Sequence, residues 1–326
     1  MESSDYPKVS IIIPFYKNAG YLEESVRGCL NLDYPNFEIL IVANSELGYK
    51  DSRIRVITTK KVSQSEKKDL GVRESMGEIC AFIDDDAFPR ADWLKNAVRE
   101  FHDPGVGIVC GPGITPETDS FLQKAGGVVY SSPLGSGPYR FRYIPTKRMK
   151  IDEFAGYNFL MRRDFYLSIG GIGTVFRSGD DTILSQKTTQ MGKLIIYNPD
   201  VVVYHHRRAL FRGHLSQIKT YALHRGYFLK TKRKPSAGIF YLVPIISLFL
   251  LTVAAIVIAS FPVLLSVLLA ILAGYMLTCL ISTITISKNL KMAIIATVGI
   301  FLTHIYYICF MTYGFMVREL NERPSY

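Results

Sequence analysis

The sequence predicts an α/β chain in two parts: a mostly parallel, doubly wound sheet of Rossmann type, then interfacial amphipathic helices and about three transmembrane helices. Three observations carry this prediction. Short β-branched apolar runs alternate with segments of helical period through the first 206 residues, the pattern of units that build a parallel sheet. One of those runs, residues 79–83, drives into three consecutive acids, Asp84, Asp85 and Asp86, and is stopped by Pro89. From Gly238 onward charge almost disappears. Three apolar stretches there, at about 240–260, 263–286 and 292–317, each reach the roughly 20 residues a helix needs to cross a bilayer.

In chain order, Val9 to Pro14 is a continuous β-branched run closed by proline, and reads as a central strand. Phe15, Tyr16, Lys17 and Asn18 follow as a loop, and apolar residues at helical spacing make Tyr21 to Leu30 a helix. Phe37 to Val42 and Ile54 to Thr58 read as the second and third strands, Glu66 to Met76 as a charge-rich helix, and Ile79 to Ile83 as the fourth strand. Ligands of an open α/β sheet bind beyond the carboxyl ends of its strands, so this order puts the three acids beside a nucleotide-sized ligand. Adjacent carboxylates repel one another. A hard divalent cation carrying a diphosphate would neutralise them, because Mg²⁺ takes one or two carboxylates and completes its shell with phosphate oxygens. The bland alternative is a solvated acidic turn. Alternation along the strand sends Asp85 to the face opposite its neighbours, in a structural role.

Charge excludes the obvious partner of a basic protein. The net charge is +10, yet Arg207, Arg208, Arg212, Lys219, Arg225, Lys230, Lys232, Arg233 and Lys234 supply +9 of it with no acid between them. This basic segment immediately precedes the first apolar stretch. It fits the positive-inside rule and attraction to anionic headgroups, so no nucleic acid is expected. The five cysteines have no CxxC spacing, which predicts neither a disulfide framework nor a zinc site. Met1 to Lys8 lacks a basic and apolar leader, so the first 237 residues are expected to remain in the cytoplasm.

Five motifs occur in order. They are Ile11-Ile12-Ile13-Pro14-Phe15-Tyr16-Lys17-Asn18; Lys67-Lys68-Asp69-Leu70-Gly71; Asp84-Asp85-Asp86; Gly156-Tyr157-Asn158 running to Arg162-Arg163 and Gly170-Gly171; and Asp180-Asp181 followed by Gly192-Lys193 and Tyr197-Asn198-Pro199. Together they make residues 8 to about 207 resemble glycosyltransferase family 2, whose catalytic domain has the GT-A fold. The resemblance implies a nucleotide-sugar donor, probed by Pro14, Tyr16, Asn44, Lys68, Asp84 and Asp86, and a Mn²⁺ or Mg²⁺ ion on Asp86 and Asp84. It implies Asp181 as the base that deprotonates an acceptor hydroxyl, with Asp180 orienting a neighbour. A helix N-cap is the plain structural alternative for these two acids. One departure stands out: where the family has an aspartate that bonds the nucleobase, this chain reads Val42-Ala43-Asn44-Ser45. Asn44 can donate as well as accept, so the base preference, UDP or GDP, stays open.

After a strand at Val201 to Tyr204, His205 is a candidate third metal ligand, and Arg207 and Arg208 could clamp diphosphate through their planar forks. A basic interfacial collar is the alternative. Gln217 to Lys230 reads as an amphipathic helix in the membrane surface. It lacks the Arg and Trp of the Gln-x-x-Arg-Trp motif of processive synthases, which argues against a processive polymerase. His304, Tyr306 and Tyr307 in the third run could line a lipid-binding surface or face a neighbouring helix. The expected domains are 1–206, a basic juxtamembrane segment 207–237, and a transmembrane domain 238–326. The expected function is metal-dependent inverting transfer of a sugar to a lipid-linked acceptor at the cytoplasmic membrane face, the chain being an integral membrane protein. Two alternatives stay open: a polyprenyl-phosphate sugar synthase that needs no base, and an inactive scaffold or part of a saccharide transport assembly. The oligomeric state is left open.

Overall fold

The computed structural model describes residues 6–16, 19–173, 179–231 and 242–320. The elements run β1 (Val9–Pro14), α1 (Ala19–Leu30), β2 (Phe37–Ala43), β3 (Ile54–Thr58), α2 (Gln64–Glu74), β4 (Ile79–Ile83), β5 (Ala87–Pro89), α3 (Trp93–Glu100), β6 (Val106–Cys110) and β7 (Gly113–Ile114). They continue with α4 (Phe121–Ser131), α5 (Pro133–Ser136), β8 (Met149–Ile151), β9 (Asn158–Arg162), α6 (Arg163–Ser168), α7 (Asp180–Gln190), β10 (Leu194–Tyr197) and β11 (Val203–His205). Four longer helices close the chain: α8 (Arg212–Lys230), α9 (Val243–Ser260), α10 (Leu264–Ser287) and α11 (Leu290–Met316). The contacts divide the chain into two units, one from the described residues of Met1–Ile114 and Phe141–His206, the other from Thr115–Arg140 and Arg207–Leu320.

The first unit is the α/β domain. Its main sheet has the order β3-β2-β1-β4-β9-β6-β10-β8. β1 pairs in parallel with β2 and β4, β2 with β3, and β6 with β10. Only β9, antiparallel to β4 and β6, and the edge strand β8 run against the rest. β1, β2 and β4 are buried along their whole lengths. That is why their sequences are continuous apolar runs without alternation. The core of this unit gathers Ile11, Ile13, Ile39, Ile41, Ala81 and Ile83 from the sheet against Leu22 and Val26 of α1 and Trp93, Leu94 and Ala97 of α3.

Helix α2 starts two residues before the apolar pattern suggested. Ser63 caps it: its side chain accepts from the Glu66 N–H, and the Glu66 carboxylate accepts from the Ser63 N–H. This reciprocal pair satisfies two N–H groups that an unfinished helix end would leave bare. A second sheet, β5-β11-β7, sits beside the first. β11 pairs antiparallel with β5, placing His205 opposite Ala87 and Tyr204 opposite Phe88.

The second unit contains α4, α5 and α8–α11. α9, α10 and α11 are each long and apolar enough to cross a membrane. They begin and end within a few residues of the apolar runs read from sequence, apart from residues 240 and 241, which lie outside the described residues together with Lys232, Arg233 and Lys234. α8 begins five residues before the expected Gln217 and buries His214, Ile218, Ala222 and Gly226, four positions spaced by one turn. That stripe packs on α11. Gly226 and Gly314 let the two backbones touch, for a Cβ on Gly226 would lie 2.0 Å from the Met311 carbonyl oxygen, and one on Gly314 2.1 Å from that of Leu223. Polar groups among the apolar helices are paired. His304 bridges the Tyr275 hydroxyl and the Leu134 carbonyl at 2.8 Å each, and the Thr283 and Thr297 hydroxyls meet at 2.9 Å. Such pairing is what an apolar surround demands of polar side chains.

Candidate active site

The carboxyl ends of β1, β2 and β4 lie side by side, because Pro14 is in register with Val42 and Ile12 with Phe82. β9 runs the other way, so the residues leading into it, Gly156 and Tyr157, reach the same edge from beyond Ile83. Asp84, Asp85 and Asp86 therefore leave β4 at the mouth of the sheet, and each does something different.

Asp84, Asp86 and His205 form a cluster in which one ligand atom from each lies within 4.8 Å of the others. His205 Nε2 is 3.0 Å from Asp86 Oδ1. The backbone secures the approach, since the His206 N–H donates to the Asp86 carbonyl at 3.0 Å. The Tyr157 ring covers the His205 imidazole with centroids 4.4 Å apart. Gln64, one residue inside α2, donates its amide to Asp84 Oδ1 at 2.7 Å.

Asp85 points elsewhere. It accepts the Tyr16 N–H at 3.2 Å, which ties the loop after β1 to the acidic turn. Tyr16 is held again through its hydroxyl, which donates to the Val62 carbonyl at 2.8 Å, and its ring lies 3.6 Å beneath the Lys67 ammonium. Lys67 also donates to the Phe15 carbonyl. Lys17 and Asn18 of the same motif lie outside the described residues.

The electrostatics favour a cation. Burial pushes the Asp84 carboxyl up to about 7, with the charge of Asp86 adding to the effect and Lys68 opposing it. Burial, then Asp86, pushes Asp85 up to about 6. Burial pulls the Lys67 ammonium down to about 8. Two carboxylates and one imidazole suit Mn²⁺ or Mg²⁺ in donor type, and a divalent charge would offset the burial, and the added repulsion, that make these acids hold protons.

Lys68 is wholly buried and donates to the Gly156 carbonyl and to Asp180 Oδ2, both at 3.0 Å; its ammonium is also 3.9 Å from Asp84 Oδ1. Burial pulls this ammonium down, but Asp180 and Asp84 outweigh it and hold it above its ordinary value. Asp180 and Asp181 open α7 behind Gly179. Asp181 Oδ1 accepts the Thr182 N–H at 2.8 Å, and the Thr182 hydroxyl donates to the buried Glu153. At the end of β2, Asn44 Oδ1 is buried and has no hydrogen-bond partner among the described residues, while Ala43 is fully enclosed. An orphaned acceptor at the mouth of the sheet is a place for a ligand donor group.

Arg207 and Arg208 fall in the second unit. The buried Arg207 donates its N–H to Asp119 and Nε to Thr115, and its guanidinium lies 5.7 Å over the Tyr130 ring; Arg208 is exposed. The sequence assigns no role to Gln64, Tyr157 or Glu153. Nothing local marks the first and last, whereas Tyr157 sits inside the motif Gly156-Tyr157-Asn158.

The family model for Glycosyl transferase family 2 matches residues 10–170. A Methanococcus voltae protein, dolichyl N-acetyl-α-D-glucosaminyl phosphate 3-β-D-2,3-diacetamido-2,3-dideoxy-β-D-glucuronosyltransferase, is 24% identical over 98% of this chain and 99% of its own length. Glycosyltransferase AglE of Haloferax volcanii is 25% identical over 68% of this chain and 77% of its own, and the glucosyl-dolichyl phosphate glucuronosyltransferase of the same organism 22% identical over 61% and 69%. Among solved structures, the mannosyltransferase PcManGT of Pyrobaculum calidifontis, in complex with GDP-Man and Mn²⁺, superposes with a TM-score of 0.59 at 21% identity, covering 93% of this chain and 87% of that one. This likeness bears on the fold, which is GT-A.

Proposed function

Because the catalytic domain belongs to glycosyl transferase family 2 and the chain is a glycosyltransferase, we propose that it moves a sugar, with inversion, from a nucleotide-diphosphate donor to a hydroxyl of a lipid-linked saccharide at the cytoplasmic membrane face. The observation that carries the reading is the meeting of Asp84, Asp86 and His205 at the mouth of the sheet, with Lys68 paired to both Asp84 and Asp180. Bound Mn²⁺ or Mg²⁺ would act as a Lewis acid on the diphosphate leaving group.

The protein's own residues do the rest. Asp84, Asp86 and His205 would hold the ion, and Asn44 would offer its acceptor oxygen to a nucleobase N–H. The bond between the anomeric carbon and the diphosphate oxygen breaks with its electron pair leaving on oxygen. The acceptor oxygen attacks the opposite face of the sugar, and Asp181 takes its proton. A saccharide already on a lipid phosphate is the acceptor that the names of the two uronosyltransferase relatives carry, and this favours a hydroxyl over a bare phosphate. The nine basic residues between Arg207 and Lys234, ahead of α9, support the cytoplasmic side.

The test is nucleotide release by the detergent-purified chain, with Mn²⁺ or EDTA, against a panel of UDP-, GDP- and dTDP-sugars and a lipid-linked saccharide extract. Metal-dependent release with one donor, lost in Asp86→Ala, is expected. Release that persists in EDTA, or none with any donor, overturns the reading.

A further inference from the structure

We propose that Lys68 is a positioning residue that keeps the acceptor-side helix α7 in register with the metal-side carboxylates; the inference rests on the reading of Asp181 as base. An ammonium has three hydrogens. Lys68 gives two to Gly156 O and Asp180 Oδ2 at 3.0 Å and lies 3.9 Å from Asp84 Oδ1. A fully buried cation thus joins an acid of the metal cluster to an acid on the first turn of α7. Contact with a donor phosphate would require breaking that arrangement. Its position at the centre of three segments suits a fixed strut.

The neighbouring residue, Asp69, reaches α7 only indirectly, through the Gly171–Gly173 segment. Asp69 accepts the N–H groups of Ile172 and Gly173 at 2.9 and 3.0 Å and the Tyr166 hydroxyl at 2.6 Å. Lys187 of α7 donates to the carbonyls of Gly171 and Ile172 at 2.7 and 3.2 Å. Two consecutive residues of α2 therefore locate α7, one directly and one through the Gly171–Gly173 backbone. A separate chain of contacts starts at Thr182, passes through Glu153 to Arg142 at 3.0 Å, and reaches His205 by way of Tyr157, whose hydroxyl bonds the Arg142 carbonyl. The first turn of α7 is tied to Asp84 at one residue and to His205 two residues later. A base displaced by about 1 Å from its proton costs on the order of 10²-fold in rate, which is what such a strut prevents.

The experiment compares Lys68→Met, Lys68→Arg, Asp180→Asn and the Lys68→Met/Asp180→Asn double variant, in the full-length protein in detergent. Three quantities are read: transfer to acceptor, acceptor-free hydrolysis of the donor, and amide exchange of residues 180–190. In Lys68→Met, read at saturating Mn²⁺ and donor, kcat for transfer is expected to fall about 10²-fold and to fall further than acceptor-free hydrolysis, since the base is misplaced as well as the charge beside Asp84 removed. Exchange should rise in α7 and stay low in β1, β2 and β4. Lys68→Arg should recover part of the transfer rate, and the double variant should cost no more than Asp180→Asn alone. If Lys68→Met does not fold, Lys68→Arg and Asp180→Asn carry the same signature. Equal losses of transfer and hydrolysis, additive losses in the double variant, or unchanged exchange in α7 would overturn the proposal. Wild-type protein inactive with every donor would instead count against the functional reading, and amide exchange would still decide the role of Lys68.

Discussion

Metal binding by this site should be strongly pH-dependent, and its sign is set by burial. Asp84 titrates near 7 rather than its ordinary 3.8, so it holds a competing proton about a thousandfold more tightly than a free aspartate. Without metal, the folded protein binds that proton more tightly than the unfolded chain. The resulting stability is present below pH 3.8 and is lost as pH rises through about 7. The upper bound of that loss is about 4 kcal/mol, at 1.36 kcal/mol for each tenfold change in proton affinity. A divalent cation must displace the proton. Affinity for Mn²⁺ is therefore expected to rise by close to tenfold per pH unit from pH 5 to 7 and to level off above, with Asp85, at about 6, adding its negative charge over the lower half of that range. Titration calorimetry in two buffers of different ionisation enthalpy counts the protons: about one released per Mn²⁺ at pH 6 and close to none at pH 8.5. A dissociation constant flat between pH 5 and 8, or no proton release at pH 6, would refute the assignment of Asp84 as a metal ligand.

Three further outcomes follow from named contacts. Asp181→Asn should lower kcat for transfer by about 10² to 10⁴ with donor KM retained, as loss of a general base does; full activity would turn the acceptor into a lipid phosphate, which is already ionised. In Gly113→Ala the new Cβ would lie 2.4 Å from the Tyr157 ring and must push it off His205, so Mn²⁺ affinity should fall and stability drop by about 1–3 kcal/mol, read by calorimetry and thermal melting. Gly226→Ala, with its Cβ 2.0 Å from the Met311 carbonyl, should cost a similar 1–3 kcal/mol, while Gly274→Ala in α10, with nothing within 4 Å, serves as the neutral control. Equal melting temperatures for these last two variants would show that α8 and α11 do not cross at the glycines.

What can be read along the chain is whatever has a local period. Buried parallel strands must be apolar on both faces, so β1, β2 and β4 are legible as unbroken runs, and the three apolar helices by length alone. The acidic triplet is legible because its position after a strand says where it points, and alternation already separates Asp85 from its neighbours. The helix ends were blurred, since α2 starts where Ser63 caps it, ahead of any apolar signal.

Tertiary structure alone decided what meets at the sheet's mouth. His205 reaches Asp86 because β11 pairs with β5 in one register, a pairing between segments 119 residues apart that no local pattern records. Lys68 reads in sequence, through the family resemblance, as a donor contact; its burial between Asp84 and Asp180 is visible only in the folded chain. The grouping of α4 and α5 with α8–α11, and of Arg207 with Asp119 and Thr115, likewise depends on side chains meeting across long stretches of chain. Local propensity is written residue by residue. Charge pairing, burial and metal geometry are properties of neighbours in space, and only the folded chain chooses those.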